Sequence, residues 1–409
     1  MTRSSPLLAR AESSPTRLLD DVGDLIRGVS YKPQDIRPGP GPDAVALLRA
    51  TNIQDGSLLT HDVLYVDCHR VTEIQRLHRW DVLIAMSSGS TLAVGKLAQL
   101  PDDWNGSFGA FCAVLRPRSN IIDPQYFGFV VQSGRFRERI ELLAQGTNIK
   151  NLSKHHLLGF PFKLPPIEEQ RRIVRILATI QRSKRAAADV LRSVQKLKVA
   201  FKRHFLEQQL RAVTPVHLGD LKGIIETGPF GSQLHASEYA EDGIRVLNPM
   251  HLCENGVNPG AKPVFISEET AARLVRHRLQ DGDVVVPRRG DLSRYVLIRG
   301  NLVGDLCGTG SIKVRLNDER ISPAYFALYF GSEPAQAYLR DAATGSIMPN
   351  ISPNVLERMP IAIPSRTAQD QAVQGWEAID GIERASALRL GRLDLVFSKS
   401  LALLLGEGS

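Results

Sequence analysis

The sequence holds only four cysteines, at positions 68, 112, 253 and 307, and no two of them form a CxxC pair. That spacing fits neither a zinc site nor a dense disulfide framework, and it points to a reducing, cytoplasmic setting. No run of 18 apolar residues occurs, which argues against a helical membrane span. The stretch from Met1 to Arg17 carries arginines among Ser and Pro and lacks the apolar run of a secretory leader. Catalytic strings are missing as well. There is no [DN]PP[YFW], no GxxxxGK[ST] and no HExxH; Gly95-Lys96 lacks a following Ser or Thr, and Asn248-Pro249 continues with Met250. The ten histidines show no metal-ligand spacing, and His155-His156 reads as a polar stretch. These absences leave a non-catalytic chain that binds no metal and no cofactor of its own.

The 409 residues are 43% hydrophobic and 23% charged, ordinary for a globular protein and enough for two or three domains. The formal charge is +8. Between Ile167 and Ala212 there are twelve Lys or Arg against four Asp or Glu, so this segment alone equals the excess of the whole chain. An anionic partner suits that balance, although a basic helix face is as often merely solvated.

An internal repeat organises the rest. At a shift of 199 residues, Asn151-Leu152-Ser153 falls on Asn350-Ile351-Ser352, Pro161 on Pro360, Pro165 on Pro364 and Gln170 on Gln369. The same shift carries Tyr126-Phe127 onto Tyr325-Phe326, Leu48 onto Leu247 and Leu19 onto Leu218. Each copy begins with short apolar runs such as Asp81–Ala85 and Asp283–Val286 between Gly, Pro, Asn and Ser clusters, which predicts a mixed α+β head. Each continues into a long helix. Glu168 and Glu169 favour the first helix start, and apolar residues recur at Ile173, Leu177, Ile180, Ala187, Leu191, Val194, Phe201 and Phe205. The second stripe is Ala372, Trp376, Ile379, Leu390, Leu393, Phe397, Leu401 and Leu404, with Lys184 and Ser386 as the imperfect seam positions. Two such stripes in one chain predict an antiparallel coiled coil with a pseudo-twofold. The expected division is an extension at 1–17, a head at 18–165, a helix at 166–212, a second head at 213–365 and a second helix at 366–409.

With the repeat in place, several strings resemble the specificity (S) subunit of type I restriction-modification systems. They are GTNIKNLS leading to FPFKLPPIEEQ at 146–170, TGSIMPNIS leading to MPIAIPS at 344–365, GPFGSQLHASEY at 228–239, GVSYKPQDI at 28–36, LLRATNIQDG at 47–56, and AMSSGSTLAVGKLAQL with GSFGAFCAVLRP at 85–117. Ser365-Arg366-Thr367-Ala368 departs from Pro166-Ile167-Glu168-Glu169 in the first copy. The resemblance implies two target-recognition domains that each read one half of a split site in double-stranded DNA. It implies helices that set the gap and dock two methyltransferase subunits, with a motor-nuclease subunit completing the complex. S-adenosylmethionine, ATP and Mg would then belong to the partner subunits. A stand-alone DNA-binding or scaffold protein, with helices for dimerisation, is the alternative.

Base reading needs donors on loops. In the second head, Arg288, Arg289, Ser293, Arg294 and Tyr295 follow an apolar run, and arginine suits guanine O6 and N7; the other reading is a plain surface turn. The matching place in the first head is Ser87, Ser88, Ser90 and Thr91, small enough for backbone amides to approach phosphates. Arg49, Thr51 and Asn52 form another polar tip, as do Ser232 and Gln233, where turn formation competes with adenine recognition. Gly146, Asn151, Ser153, Gly345, Asn350 and Ser352 recur where heads meet helices and read as a structural joint. On the first helix, Arg171, Arg175, Arg182, Lys196, Lys202 and Arg203 are candidates for phosphates or an acidic partner.

Overall fold

The computed structural model describes residues 14–54, 56–87, 94–145, 152–206, 213–342 and 350–407. The chain divides into two compact units, Met1–Ala187 with Leu388–Ser409, and Ala188–Ala387. The long helices Ile167–Phe201 and Arg366–Leu404 each contribute to both units. Lys202–Leu206 continues the first helix as a π turn.

In the first unit, the central antiparallel sheet has the order Gly23–Arg27, Cys112–Pro117, Val82–Ala85, Leu97–Gln99. A second sheet runs Ser107–Phe108, Ala44–Leu48, Leu64–Asp67, Ile36–Arg37, its first pair parallel. The second unit repeats both. Its central order is Gly223–Thr227, Ser311–Leu316, Val284–Pro287, Val296–Leu297, and its second sheet is Leu306–Cys307, Ile244–Leu247, Phe265–Ile266, Tyr239–Ala240. Two similar mixed α/β units with long helices are what the sequence predicts.

The continuous apolar run Val82–Ala85 is buried at every position because the sheet is covered on both faces. Val82, Ile84, Ala113 and Leu115 join the core formed with the helices, while Leu83, Ala85, Cys112 and Val114 pack against Leu48 and Ile53. In the second unit Val284, Val286, Ile312 and Val314 face the helices and Val285 faces Leu247 and Cys307. The two-residue period of the strand therefore distributes side chains between two cores. Burial pushes the thiols of Cys112 and Cys307 up to about 12, which leaves them unreactive packing groups.

Polar contacts recur in both units. Arg116 holds Asp81 through Nε to Oδ1 (2.8 Å) and Nη2 to Oδ2 (2.7 Å), and Arg315 holds Asp283 through the same atoms at 2.6 and 2.7 Å. The Tyr126 hydroxyl donates to the Lys163 carbonyl, and the Tyr325 hydroxyl to that of Ala362. At the first turn of each long helix sits a buried glutamine. Gln170 accepts from the Asp123 amide at 2.8 Å and donates to the Pro165 carbonyl at 2.8 Å. Gln369 accepts from the Ser322 amide at 2.9 Å and donates to the carbonyls of Arg320 at 2.7 Å and Pro364 at 2.9 Å. Asp123 and Ser322 in turn cap the helices Pro124–Val131 and Pro323–Phe330.

The predicted stripes face inward. In the first unit Ile173 and Leu177 share a core with Phe397, Leu401 and Leu404. The seam lysine Lys184 is accommodated by reaching Asp394 at 2.6 Å and lying 4.7 Å over the Phe397 ring. In the second unit Lys198 lies over Trp376 and bonds Asp380 (2.8 Å) and Glu383 (2.6 Å), while Lys202 also covers Trp376. Partners fall in number from 380 to 376 as the first helix rises from 198 to 202, so these segments run antiparallel within that unit. Burial opposes the Lys198 charge, yet its two carboxylate partners outweigh that and raise its pKa above the ordinary lysine value.

Replacing Gln369 by Leu leaves the Ser322 amide and two carbonyls without partners inside the second unit. We expect a loss of about 1–3 kcal/mol in urea unfolding, and an unchanged midpoint would show that the clasp contributes nothing.

Candidate nucleic-acid interface

In the second unit, strands of both sheets end at one edge. Thr227 pairs with Ile312, Pro287 with Ser311, and Leu247 with Cys307, so the loops that follow Thr227, Leu247 and Pro287 lie beside the turn 308–310. Their backbones are cross-linked. The Arg288 amide donates to the Gly310 carbonyl (2.7 Å), the Gly308 amide to Leu247 (3.0 Å), and the Thr309 hydroxyl to the Pro229 carbonyl (2.8 Å). A Cβ on Gly228 would stand 2.1 Å from the Gly308 carbonyl oxygen, so the two loops touch backbone to backbone and only glycine fits there.

The first unit builds the same edge. A Cβ on Gly28 would stand 2.1 Å from the Gly109 carbonyl oxygen, and the Gly109 amide donates to Leu48 at 3.0 Å. The Met86 amide donates to the Phe111 carbonyl at 2.9 Å, where Arg288 binds Gly310 in the second copy. The Met86 carbonyl accepts from the Leu152 amide (3.0 Å), as the Arg288 carbonyl does from Ile351 (2.9 Å). Matched scaffolds thus carry Met86-Ser87 in one unit and Arg288-Arg289 in the other.

At this edge Arg289 is exposed and Arg288 half-buried, and neither belongs to an ion pair among the described residues. The Arg288 Nε is buried without a hydrogen-bond partner, a donor in want of an acceptor. Gly290, at φ +79°, turns the loop. Asp291 then gathers the Ser293 hydroxyl (2.6 Å), the Ser293 amide (3.1 Å) and Arg294 Nε (3.1 Å). Those bonds, the Ser293 hydroxyl foremost, hold its carboxyl below the usual range. Ser293 and Arg294 therefore shape the loop from within. Ser232 and Gln233 are exposed on the turn Gly231–Gln233.

Two expected reading residues need correction. Tyr295 is fully buried, packed edge-on against Phe330, and its hydroxyl meets no partner; alternation along the chain sends Tyr295 into the core that faces the helices and Val296 into the opposite one. Asn52 is 3% exposed. Its Oδ1 accepts from the Arg49 amide at 2.8 Å and its Nδ2 donates to the Leu59 carbonyl at 2.9 Å, so it ties two loops together. Arg49 donates to the Asp62 carbonyl at 3.2 Å, and Thr51 is exposed beside it. Lys202 is likewise engaged inside its unit, with Glu254 and the Gly331 carbonyl. Ser88, Ser90, Thr91, Gly146, Asn151 and Gly345 lie outside the described residues.

The joint residues are closer to the reading edge than the sequence suggests. Ser153 caps the helix Lys154–Leu158 by accepting from the His156 amide, whereas Ser352 stands before Pro353–Glu357 without a side-chain cap bond. Asn350 forms a β-bridge with Arg289, which joins the second linker to the arginine loop. Asp67, Cys68 and His69 bring three ligand-type groups within 4.8 Å, but Arg37 and the His69 amide already occupy the two Asp67 oxygens. No helix among the described residues is long and apolar enough to cross a membrane.

Comparison with known proteins agrees with this architecture. The family model described as "Type I restriction modification DNA specificity domain" matches residues 77–188. The chain is 28% identical over 410 residues to the type I restriction enzyme EcoKI specificity subunit of Escherichia coli (strain K12), covering 93% of this chain and 86% of that protein. It is 37% identical over 171 residues to the StySPI specificity subunit of Salmonella potsdam, covering 41% of this chain and 36% of that one. The crystal structure of a type I restriction-modification system S subunit from M. genitalium matches with a TM-score of 0.61 at 17% identity, covering 100% of this chain and 99% of that one. That likeness shows a shared fold.

Because the Tyr295 hydroxyl is buried and unpartnered, Tyr295→Phe should leave thermal stability equal or higher and leave DNA sequence preference unchanged. Asn52→Ala should instead cost about 1–3 kcal/mol in denaturant unfolding by orphaning the Arg49 amide and the facing carbonyls. A relaxed sequence preference in a stable Tyr295→Phe protein would return that residue to the reading surface.

Proposed function

We propose that this chain, a type I restriction-modification specificity subunit that recognises DNA sequence, reads a bipartite target with one half-site for each unit. The observation that carries the reading is the repeated edge: one scaffold of touching glycines and cross-linked strand ends, built twice, with different side chains at matching places. Arg288 and Arg289 would serve the second half-site, since a guanidinium can donate twice to guanine O6 and N7. Small groups around Ser87 would serve the first, with backbone amides near phosphates. Arg49, Thr51, Ser232 and Gln233 flank these positions, and Ser293 and Arg294 hold the second loop in shape.

The long helices then act as a paired antiparallel spacer. The 35-residue helix Ile167–Phe201 is about 52 Å long at ~1.5 Å per residue, against about 34 Å for a turn of B-DNA. Methyltransferase subunits dock on this spacer, and the chemistry that uses S-adenosylmethionine, ATP and Mg belongs to those partners and to a motor-nuclease subunit. This chain supplies the address. Co-purification with a methyltransferase subunit separates the reading from that of a stand-alone DNA-binding scaffold. The test of the whole proposal is methylome sequencing of cells with and without the chain; loss of one split motif supports it, and an unaltered methylome overturns it.

Arg288→Ala or Arg289→Ala should relax preference at one position of one half-site, at a cost of about 1–3 kcal/mol in competition binding. Equal weakening on every sequence would mark a phosphate contact instead. Removing seven residues from each long helix should change the preferred gap between half-sites in a randomised-spacer selection, and an unchanged gap would refute the ruler.

A further inference from the structure

Each unit exposes a phenylalanine at its reading edge. Phe111 is 68% exposed and Phe230 is 55% exposed, although burying such a side chain would stabilise the fold by about 1.5–3 kcal/mol. They are not equivalents in the repeat. Phe111 lies two residues after Gly109, and its counterpart in the second copy is Gly310; Phe230 lies two residues after Gly228, and its counterpart in the first copy is Ser30. Yet Gly28 touches Gly109 and Gly228 touches Gly308, so both phenylalanines occur on the same pair of touching loops, supplied from opposite members of the pair. Each edge thus carries one exposed aromatic on this loop pair although the residue comes from a different loop in each copy, and neither ring is buried by packing.

Both are presented by backbone that is already held. The Phe111 carbonyl accepts from the amides of Met86 (2.9 Å) and Ser87 (3.3 Å). The Phe230 amide donates to Gln233 Oε1 at 3.3 Å, and the preceding carbonyl of Pro229 accepts from Thr309. A fixed backbone lowers the ordering cost of binding. In the second unit the Arg288 amide binds the turn 308–310, which Thr309 ties to Pro229, so Phe230 and Arg288, which belongs to no ion pair among the described residues, stand on neighbouring loops of one edge. An edge that reads DNA meets an apolar group as well as phosphates, and for an exposed ring that group is the C5 methyl of thymine in the major groove.

We propose that Phe111 in one half-site and Phe230 in the other each read a thymine through its methyl group. This rests on the DNA-reading role above. The test uses the full chain and duplexes carrying its target, with thymines replaced one at a time by deoxyuridine, which differs only in lacking that methyl. Wild-type protein should lose about 4-fold in affinity at one thymine of each half-site. Phe111→Ala should abolish that difference in one half-site and Phe230→Ala in the other, with thermal stability retained. If specific binding persists but deoxyuridine has no effect anywhere, or if the substitutions weaken all duplexes alike, the methyl contact is refuted while the reading role stands. If wild-type protein prefers no sequence at all, both fall together.

Discussion

The structure depends on how each long helix is fastened to its head. A helix start leaves amides without partners, and the preceding chain must be held if the helix is to leave at a fixed angle. Here one buried amide side chain in each copy holds that preceding chain and ties it to the head. Gln170 and Gln369, 2% and 0% exposed, bond the linker carbonyl behind them and the amide that opens a neighbouring helix of the head. Both hydrogen-bonding ends of the carboxamide are used, and neither Glu nor Leu can replace it without leaving a group unpaired. Each head is thereby bonded to the first turn of its helix, a join that the spacer proposed above would require.

Around that clasp the two copies agree where the interior demands it and differ where the surface allows. The Asp81–Arg116 and Asp283–Arg315 forks are nearly superimposable in their distances, and their carboxylates are 1% and 0% exposed. A charge that deep must keep its partner, since losing it would cost several kcal/mol. The tips have no such obligation. Met86 and Arg288 make the same two backbone hydrogen bonds with unlike side chains. Backbone therefore carries the loop's shape and leaves the side chain free to vary.

Much of this was legible in the chain itself. The repeat was visible because Pro165, Gln170 and their counterparts are constrained by the clasp, and constrained residues do not drift. The helical stripes were visible because burial imposes a period. What remained hidden was pairing across the sequence. Nothing local distinguishes Asn52, which knots two loops together, from an exposed asparagine that could meet a base, and Tyr295 directly follows the loop residues Ser293 and Arg294 although its side chain is buried. Gly28 and Gly228 also escaped notice as a pair. Strand β-pairing in the two copies places Arg27 opposite Ala113 but Thr227 opposite Ile312, a shift of 200 on one strand and 199 on the other, so a single fixed offset misses them.

The basic helix segment shows how far net charge alone can mislead. Lys184, Lys198 and Lys202 spend their charge on Asp394, on Asp380 and Glu383, and on Glu254, and each also caps an aromatic ring. Arg171 and Arg192 pair with acids one turn away. A lysine buried against Trp or Phe lends the seam its long apolar stem while its ammonium finds a carboxylate, so it is a packing residue that happens to be charged. The carboxylates that meet these lysines lie outside 167–212, so they offset the local excess of the segment while the net charge of the chain stays at +8, and Arg288 and Arg289 at a strand end belong to no ion pair among the described residues. Discrimination between sequences requires a few groups held at fixed places, as proposed for the repeated edge, because a diffuse field attracts every duplex equally.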